Sequence, residues 1–250
     1  MTQTMSRLSW WTRGFSTAGV VVLAGLAGGC SGGDTPKGPD PTPSSESPSA
    51  TPDDDAIKVR DSGVSEVQGE SISYGALLEN TSDTVAFMSV ASVSVLDDEG
   101  AVIESGEENE LYQQGVTAIF PGQTVGFGAT VPSEQSKEAD SITVEVDVDE
   151  WWALDDAQDE FPQVSTSHVS VAQEDDEAVV SYAVSVTEDL PVSYAAAVFR
   201  DAEGAIVGGA AAMQPQALSQ GDSQQQLVCR HGLPDDAQLD ETEVYIVSQV

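Results

Sequence analysis

Apolar and polar residues alternate one by one along several short stretches of this chain, and that period leaves little choice of secondary structure. Ile72, Tyr74, Ala76 and Leu78 share one parity. Ile142, Val144, Val146 and Val148 do the same, with Thr143, Glu145, Asp147 and Asp149 between them, and Val180, Tyr182, Val184 and Val186 repeat the pattern. Side chains on a strand point to opposite faces in turn. A period of two with a charged second face therefore predicts antiparallel strands packed on one side and wet on the other. Turn-forming runs separate the stretches: Asn80-Thr81-Ser82-Asp83, Asp98-Glu99-Gly100, Pro121-Gly122, Ala202-Glu203-Gly204 and Gly221-Asp222. No segment carries a sustained apolar stripe at helical spacing, so the expected fold class is all-β.

The pattern is written twice. The stretch 94–105, SVLDDEGAVIES, aligns with 198–209, VFRDAEGAIVGG. Upstream, Ile72-Ser73-Tyr74 corresponds to Val180-Ser181-Tyr182. Downstream, Val131-Pro132 aligns with Leu233-Pro234, and the strand from Ile142 aligns with Thr242, Val244 and Ile246. A shared order of strands, turns and closing strand predicts a duplicated domain. The expectation is two tandem immunoglobulin-like antiparallel β-sandwiches, at 60–150 and 163–250, joined by a connector at 151–162; each unit has the size of such a sandwich.

The first unit resembles the FxLYD module, a small Ig-like domain of bacterial and archaeal surface proteins. Asn80 and Ser82 match its Asn-x-Ser turn, Asp97 and Gly100 its central strand end, and Pro121, Gly122 and Phe127 its last hairpin. The motif behind the name is partly present as Val93-Ser94-Val95-Leu96-Asp97 and, in the second unit, as Ala197-Val198-Phe199-Arg200-Asp201. The resemblance implies a non-catalytic extracellular module and transfers no binding residues.

The N-terminus predicts export. Arg7 and Arg13 form a positive start, followed by an uncharged run of 15 residues, Phe15 to Gly29. That length suits a signal-peptide apolar region and is short of the roughly 20 residues a membrane span needs. The run ends in Leu26-Ala27-Gly28-Gly29-Cys30, which resembles the lipobox of bacterial lipoproteins. The resemblance implies cleavage before Cys30 and diacylation of that cysteine; two acyl chains anchor stably where one would be marginal. Residues 31–55 follow with half of the chain's 12 prolines among Ser, Gly, Asp and Thr. With almost nothing apolar to bury, 30–59 is expected to be a disordered tether, reaching from roughly 30 Å as a coil to about 75 Å if extended.

Charge limits the partners. Lys and Arg total 8 against 43 Asp and Glu, a net charge of −35. Such a surface repels nucleic acid and anionic headgroups, so the membrane is expected to be met only through the lipid anchor. The carboxylates cluster, most compactly at Asp97, Asp98 and Glu99. Acidic sandwich turns can supply the six to eight oxygens of a calcium site, but no Asp-x-Asp-x-Asp-Gly loop is present, and a solvated acidic face accounts for the same residues. The expected metal and cofactor content is none.

No catalytic set is legible. The two cysteines, Cys30 and Cys229, are too few for a disulfide framework. Cys229 and His231 could form a thiol–imidazole pair, but no third group is marked, and Leu227, Cys229, His231 and Leu233 share one parity, which predicts a buried cysteine. His168 falls in a Ser/Thr stretch at a strand edge. Ser133 and Lys137 lack the Ser-x-x-Lys spacing. The chain is not expected to be an enzyme.

Trp151 and Trp152 stand where the two units meet, so they are the candidate partner-binding residues. Trp152 shares the parity of Val148 and is expected in the core. Trp151 is left either to pack between the domains or to anchor a partner. Taken together, the sequence predicts a membrane-anchored, extracytoplasmic recognition or scaffold module for an envelope protein or polymer, with a passive spacer or a calcium-dependent binder as the alternatives.

Overall fold

A computed structural model describes Pro52 and residues 54–248, apart from 159, 175, 176 and 213, and these belong to one compact unit. The segments expected to be signal peptide and tether, with Cys30 between them, lie outside the described residues up to residue 51. The first sandwich comprises β1 (Ile57–Val67), β2 (Ser71–Asn80), β3 (Val85–Leu96), β4 (Val102–Ser105), β5 (Gln113–Ile119), β6 (Thr124–Pro132) and β7 (Ser141–Trp152). The second comprises β8 (Val164–Glu174), β9 (Glu177–Val186), β10 (Leu190–Arg200), β11 (Ile206–Ala211), β12 (Gln216–Leu218), β13 (Gly221–Cys229) and β14 (Glu243–Ser248). The first strand starts at Ile57, inside the segment expected to be tether, and β7 runs two residues beyond the expected boundary at 150.

The fold is all-β and the duplication holds strand for strand. Sheet A, in the order β1-β2-β6, faces sheet B, in which β3 pairs β4 and β5 on one side and β7 on the other. Sheet C (β8-β9-β13) and sheet D (β10 with β11, β12 and β14) repeat that topology. Every pair is antiparallel. The predicted core parities are observed: Ile72, Tyr74, Ala76 and Leu78 lie in the first core, and Val180, Tyr182, Val184 and Val186 in the second. The ladders correct one alignment. Val131 pairs with Ile72 and Leu227 with Val180, so the counterpart of Val131 is Leu227 rather than Leu233.

The repeat extends to single hydrogen bonds. Asp97 Oδ1 accepts from the backbone N–H of Glu99 (3.0 Å) and Ala101 (2.8 Å), and Gly100 takes φ of 81°. Asp201 Oδ1 accepts from Glu203 (3.0 Å) and Ala205 (2.8 Å), with Gly204 at 84°. The Asp-x-x-Gly turn is thus built by a carboxylate that organises its own loop and a glycine that supplies the left-handed residue.

Strand β2 departs from the expectation of one wet face. Ser71, Ser73, Gly75 and Leu77 are as buried as the core parity, because the outer face of sheet A is covered by sheet D. Leu77, Val198 and Ile206 make a small apolar cluster there, with Tyr245 against it. Ser73 Oγ donates to Gly209 O (3.0 Å) and accepts from Gly209 N–H (2.9 Å), and Thr130 Oγ1 donates to the same carbonyl (3.0 Å). Glycines let the two sheets touch backbone to backbone. A Cβ on Gly63 would lie 1.6 Å from Ile206 O, and one on Gly75 would lie 2.4 Å from Gly208 O. The layers therefore stack in the order B, A, D, C, and the two sandwiches form one body.

Sheet B turns itself over near one end. In β3, Ala91, Val93 and Val95 face the core, but so does Ala86, three residues from the buried Ser89. Met88 between them has φ of 51°, which breaks the alternation. The neighbours follow in register: β5 buries Val116 and Ile119, and β7 turns inward at Val148 and then at Trp151. This reverses the expected tryptophan orientations. Trp151 packs on the first core. Trp152 lies on the opposite face with Val85, Phe87, Ala157 and Phe161.

One tyrosine pair separates the value of a hydrogen bond from that of a ring. Tyr74 and Tyr182 are equivalent and fully buried, but Tyr74 Oη donates to Leu111 O (3.0 Å) whereas the Tyr182 hydroxyl has no partner among the described residues. Burial pushes the Tyr182 hydroxyl pKa up to about 12, so it is protonated at any physiological pH. Tyr74→Phe is expected to cost about 1 kcal/mol, while Tyr182→Phe is neutral or slightly stabilising. Chemical denaturation of the two variants checks this; equal losses would contradict it.

Candidate recognition surface

The candidate residues for chemistry do not converge. Cys229 closes β13 with its side chain in the second core, and burial pushes its thiol pKa up to about 12. His231 lies beyond the strand in an exposed turn, so the shared parity with Cys229 stops at the strand end. The nucleophilic thiolate is then almost absent at neutral pH. Alkylating reagent is expected to label Cys229 only after denaturation; labelling of the native protein at the rate of a free thiol would disprove this. His168 sits at a bulge in β8 with φ of 52°, exposed, its Nδ1 3.0 Å from Ser167 Oγ. Ser133 Oγ donates to Glu104 Oε1 (2.7 Å) and accepts from Gln135 N–H (3.1 Å).

The acidic candidates are turn residues. One Asp97 oxygen is occupied by two backbone N–H groups, and Asp98 and Glu99 stand on the exposed tip of the same turn. Among the described residues no group of three or more His, Cys, Asp or Glu side chains is placed to hold a metal ion.

Both candidate tryptophans are half-buried in packing within the chain. The helix α1 (Leu154–Gln158) folds the connector back over the reversed end of sheet B. The Trp152 ring packs at a tilt against Phe87 (centroids 4.7 Å apart) and Phe161 (5.7 Å), and its Nε1–H donates to Glu150 Oε2 (2.8 Å). Val85, Phe87, Trp152, Leu154, Ala157 and Phe161 thus make a further small core. A crevice of about 70 Å³ beside it, lined by Val116, Phe120, Val125, Phe161, Ile246 and Val247, is far below the several hundred Å³ of a small-molecule site.

What remains is surface, and its two ends differ in charge. The outer face of sheet B carries Glu145 and Asp147 on β7 beside Glu104 and the exposed Val102, Met88 and Val90. The outer face of sheet C carries Ser165, Ser167, Ser170 and Ala172 on β8, Val179, Ser181, Ala183 and Ser185 on β9, and Gln224, Gln226 and Val228 on β13; among the described side chains of these strands its charges are Asp222 and Glu177, at opposite ends of the sheet. In a chain with 43 acidic residues this is an anomalous surface. Its signal was present as uncharged period-two positions in three strands, but only the pairing brings them onto one face.

Two of the basic side chains, Arg200 and Arg60, pair with carboxylates of the chain. Arg200 Nη1 donates to Asp61 Oδ2 (2.6 Å) and to Gly204 O (2.6 Å), and its Nε donates to Glu243 Oε1 (2.8 Å). Burial alone would lower its pKa, but the bonds to Asp61 and Glu243 outweigh it and hold the pKa above the ordinary value. The Asp61 bond crosses from one sandwich to the other. Arg60 pairs with Glu79.

No protein-family profile matches the chain, and no curated protein does. Two solved structures align weakly. The C-terminal globular domain of an oligosaccharyltransferase from Pyrococcus abyssi is 10% identical over 77% of this chain and 46% of its own, with a TM-score of 0.20. Red sea bream transglutaminase is 10% identical over 77% of this chain and 31% of its own, with a TM-score of 0.16. The chain thus spans less than half the length of either, and scores this low carry no argument about fold or activity.

Proposed function

We propose that this protein is a membrane-anchored extracytoplasmic lipoprotein whose paired sandwiches form a non-catalytic recognition or scaffold module of the cell envelope. The observation that carries the reading is the backbone-to-backbone seam between sheets A and D. Rigid elements present a surface without the entropy loss of ordering it on binding, so a fused stack suits recognition or scaffolding. The lipobox-like run ending in Cys30 supplies the anchor, and the proline-rich tether supplies clearance from the bilayer. The resemblance of the first unit to the FxLYD module points to the same non-catalytic extracellular class.

Two measurements test this. Mass spectrometry of the cell-bound protein should find a mature N-terminal Cys30 carrying acyl chains. Cross-linking in intact cells, followed by purification of the full chain, should recover one envelope protein or polymer reproducibly across salt conditions. An unmodified Cys30 removes the anchor, and an empty cross-linking profile removes the recognition role. The seam also favours a second reading, a passive spacer. A spacer would depend on the length of 31–55 and would tolerate charge placed on the outer face of sheet C.

A further inference from the structure

The internal seam is head-to-tail: the outer face of sheet A in one repeat meets the outer face of sheet D in the next. Interfaces of that type can propagate through further copies, and the two ends of this stack are the faces that would do so. Both are blocked. Where sheet D has Gly208, Gly209 and Tyr245, the register of sheet B places Glu104, Ser105 and Glu145. Where sheet A has Gly63, Gly75 and Gly128, sheet C has Ser167, Ala183 and Gln224. Side chains occupy the space that backbone contact requires, so the stack ends after two sandwiches.

An edge remains open instead. Strand β13 pairs with β9 on one side only, leaving its other row of backbone N–H and C=O groups for a further strand. Exposed strand edges are normally protected by charge, proline, a bulge or a cover. Strand β7 carries Glu145, Asp147, Asp149 and Glu150, β1 carries Lys58, Arg60 and Asp61, and β8 is bulged at Ser167–Ser170. The uncharged β6 and β11 are buried in the seam. From Ser223 to Cys229, β13 reads SQQQLVC: seven residues with no charge, glycine, proline or bulge.

We infer that β13 is a self-association edge, pairing antiparallel with β13 of a second copy of this chain about a two-fold axis at Gln225 and joining two C sheets into one of six strands. A second copy brings the same −35, so association needs an edge on which like charges do not oppose each other, and Ser223–Cys229 is such an edge. The side chains are self-complementary as well. The two-fold sets Gln224 against Gln226 of the second copy and Gln225 against its own equivalent, and a carboxamide both donates and accepts. Gln225 now donates to Ser223 Oγ (3.1 Å) and Gln226 to Ser181 Oγ (3.3 Å), weak local bonds that an amide ladder can replace. This inference goes beyond the recognition reading and does not rest on it.

The test uses the full chain extracted from membranes in detergent. Sedimentation equilibrium should give a dimer. Gln225→Lys, which sets two cations against each other at the axis, should weaken association at least about tenfold with the melting temperature of the dilute monomer unchanged. Glu145→Lys on sheet B should leave the dimer intact. A register test is independent of stability: Gln224→Cys mixed with Gln226→Cys should form a disulfide under oxidation, and neither variant should do so alone. A monomeric wild type, a dimer indifferent to Gln225→Lys, or cross-linking without that register would each overturn the inference. Failure here leaves the acylation and envelope-capture results unaffected.

Discussion

Replacing Gly75 by valine is expected to break the stack into two loosely joined sandwiches and to cost about 3 kcal/mol or more, at the upper end of overpacking penalties. The new Cβ alone would lie 2.4 Å from Gly208 O and 3.2 Å from the Ile206 side chain. Gly75 is held in β2 by β1 and β6 on either side, and Gly208 is held in β11 by β10, so neither backbone can yield without breaking a ladder. Relief must come from separation of the two sandwiches. That exposes Leu77, Val198 and Ile206, strands the Ser73–Gly209 bonds, and parts Arg200 from Asp61. Calorimetry should show the single wild-type transition lowered and split in two. Gly100→Ala is the contrasting control: its site is open space, and only the left-handed φ is at issue, about 1 kcal/mol. A Gly75→Val protein that melts as one unit near the wild-type temperature would show that the seam does not couple the sandwiches.

Asn80 carries the second large effect. Its side chain is fully buried, and its Nδ2 donates to Thr84 O and Ile119 O, both at 2.7 Å, while its Oδ1 accepts from Ser82 N–H (2.9 Å) and Ser82 Oγ (2.7 Å). One carboxamide thereby ties the β2–β3 turn to the end of β5. Its own backbone N–H and C=O are bonded to Gln123 O and Gly122 N–H, which adds the β5–β6 hairpin. Asn80→Ala strips the side-chain donor from Ile119 O, at about 1–3 kcal/mol, leaves Thr84 O only the Ser82 Oγ donor (3.0 Å) and removes the acceptor of both Ser82 bonds, so a total loss of about 3 kcal/mol is expected. Asn80→Asp is isosteric but sets an acceptor against both carbonyls. Its protonated form still donates once, so the folded pKa must be raised. The variant is therefore closest to wild type below the ordinary carboxylate pKa of about 3.9 and loses stability as pH rises above it. Urea titrations at two pH values check the sign; an Asn80→Asp protein more stable at neutral than at acid pH would contradict it.

The two sites also explain what could be read in advance. Asn80 and Ser82 stand out as a turn because short polar side chains that bond their own backbone are local signals, and local signals survive in a linear sequence. The same holds for the Asp97–Gly100 and Asp201–Gly204 turns and for the core parities of β2, β7 and β9. The sandwich pair follows from that alternation written twice.

Gly63, Gly75, Gly208 and Gly209 carry no such signal. A glycine inside a strand reads as a weak spot, and only the opposing sheet explains it as a contact. The face reversal in sheet B is equally hidden, since the alternation from Val148 to Trp152 passes a row where Met88, on another strand, turns the backbone over. Side-chain period determines which residues can share a core, so the chain itself decided two all-β sandwiches and their buried residues. Which outer faces then meet, which stay charged and which strand keeps an open edge depend on contacts between residues far apart in the chain, such as Thr130 with Gly209 and Ser73 with Gly209. No local pattern encodes those contacts, so they were decided only in three dimensions.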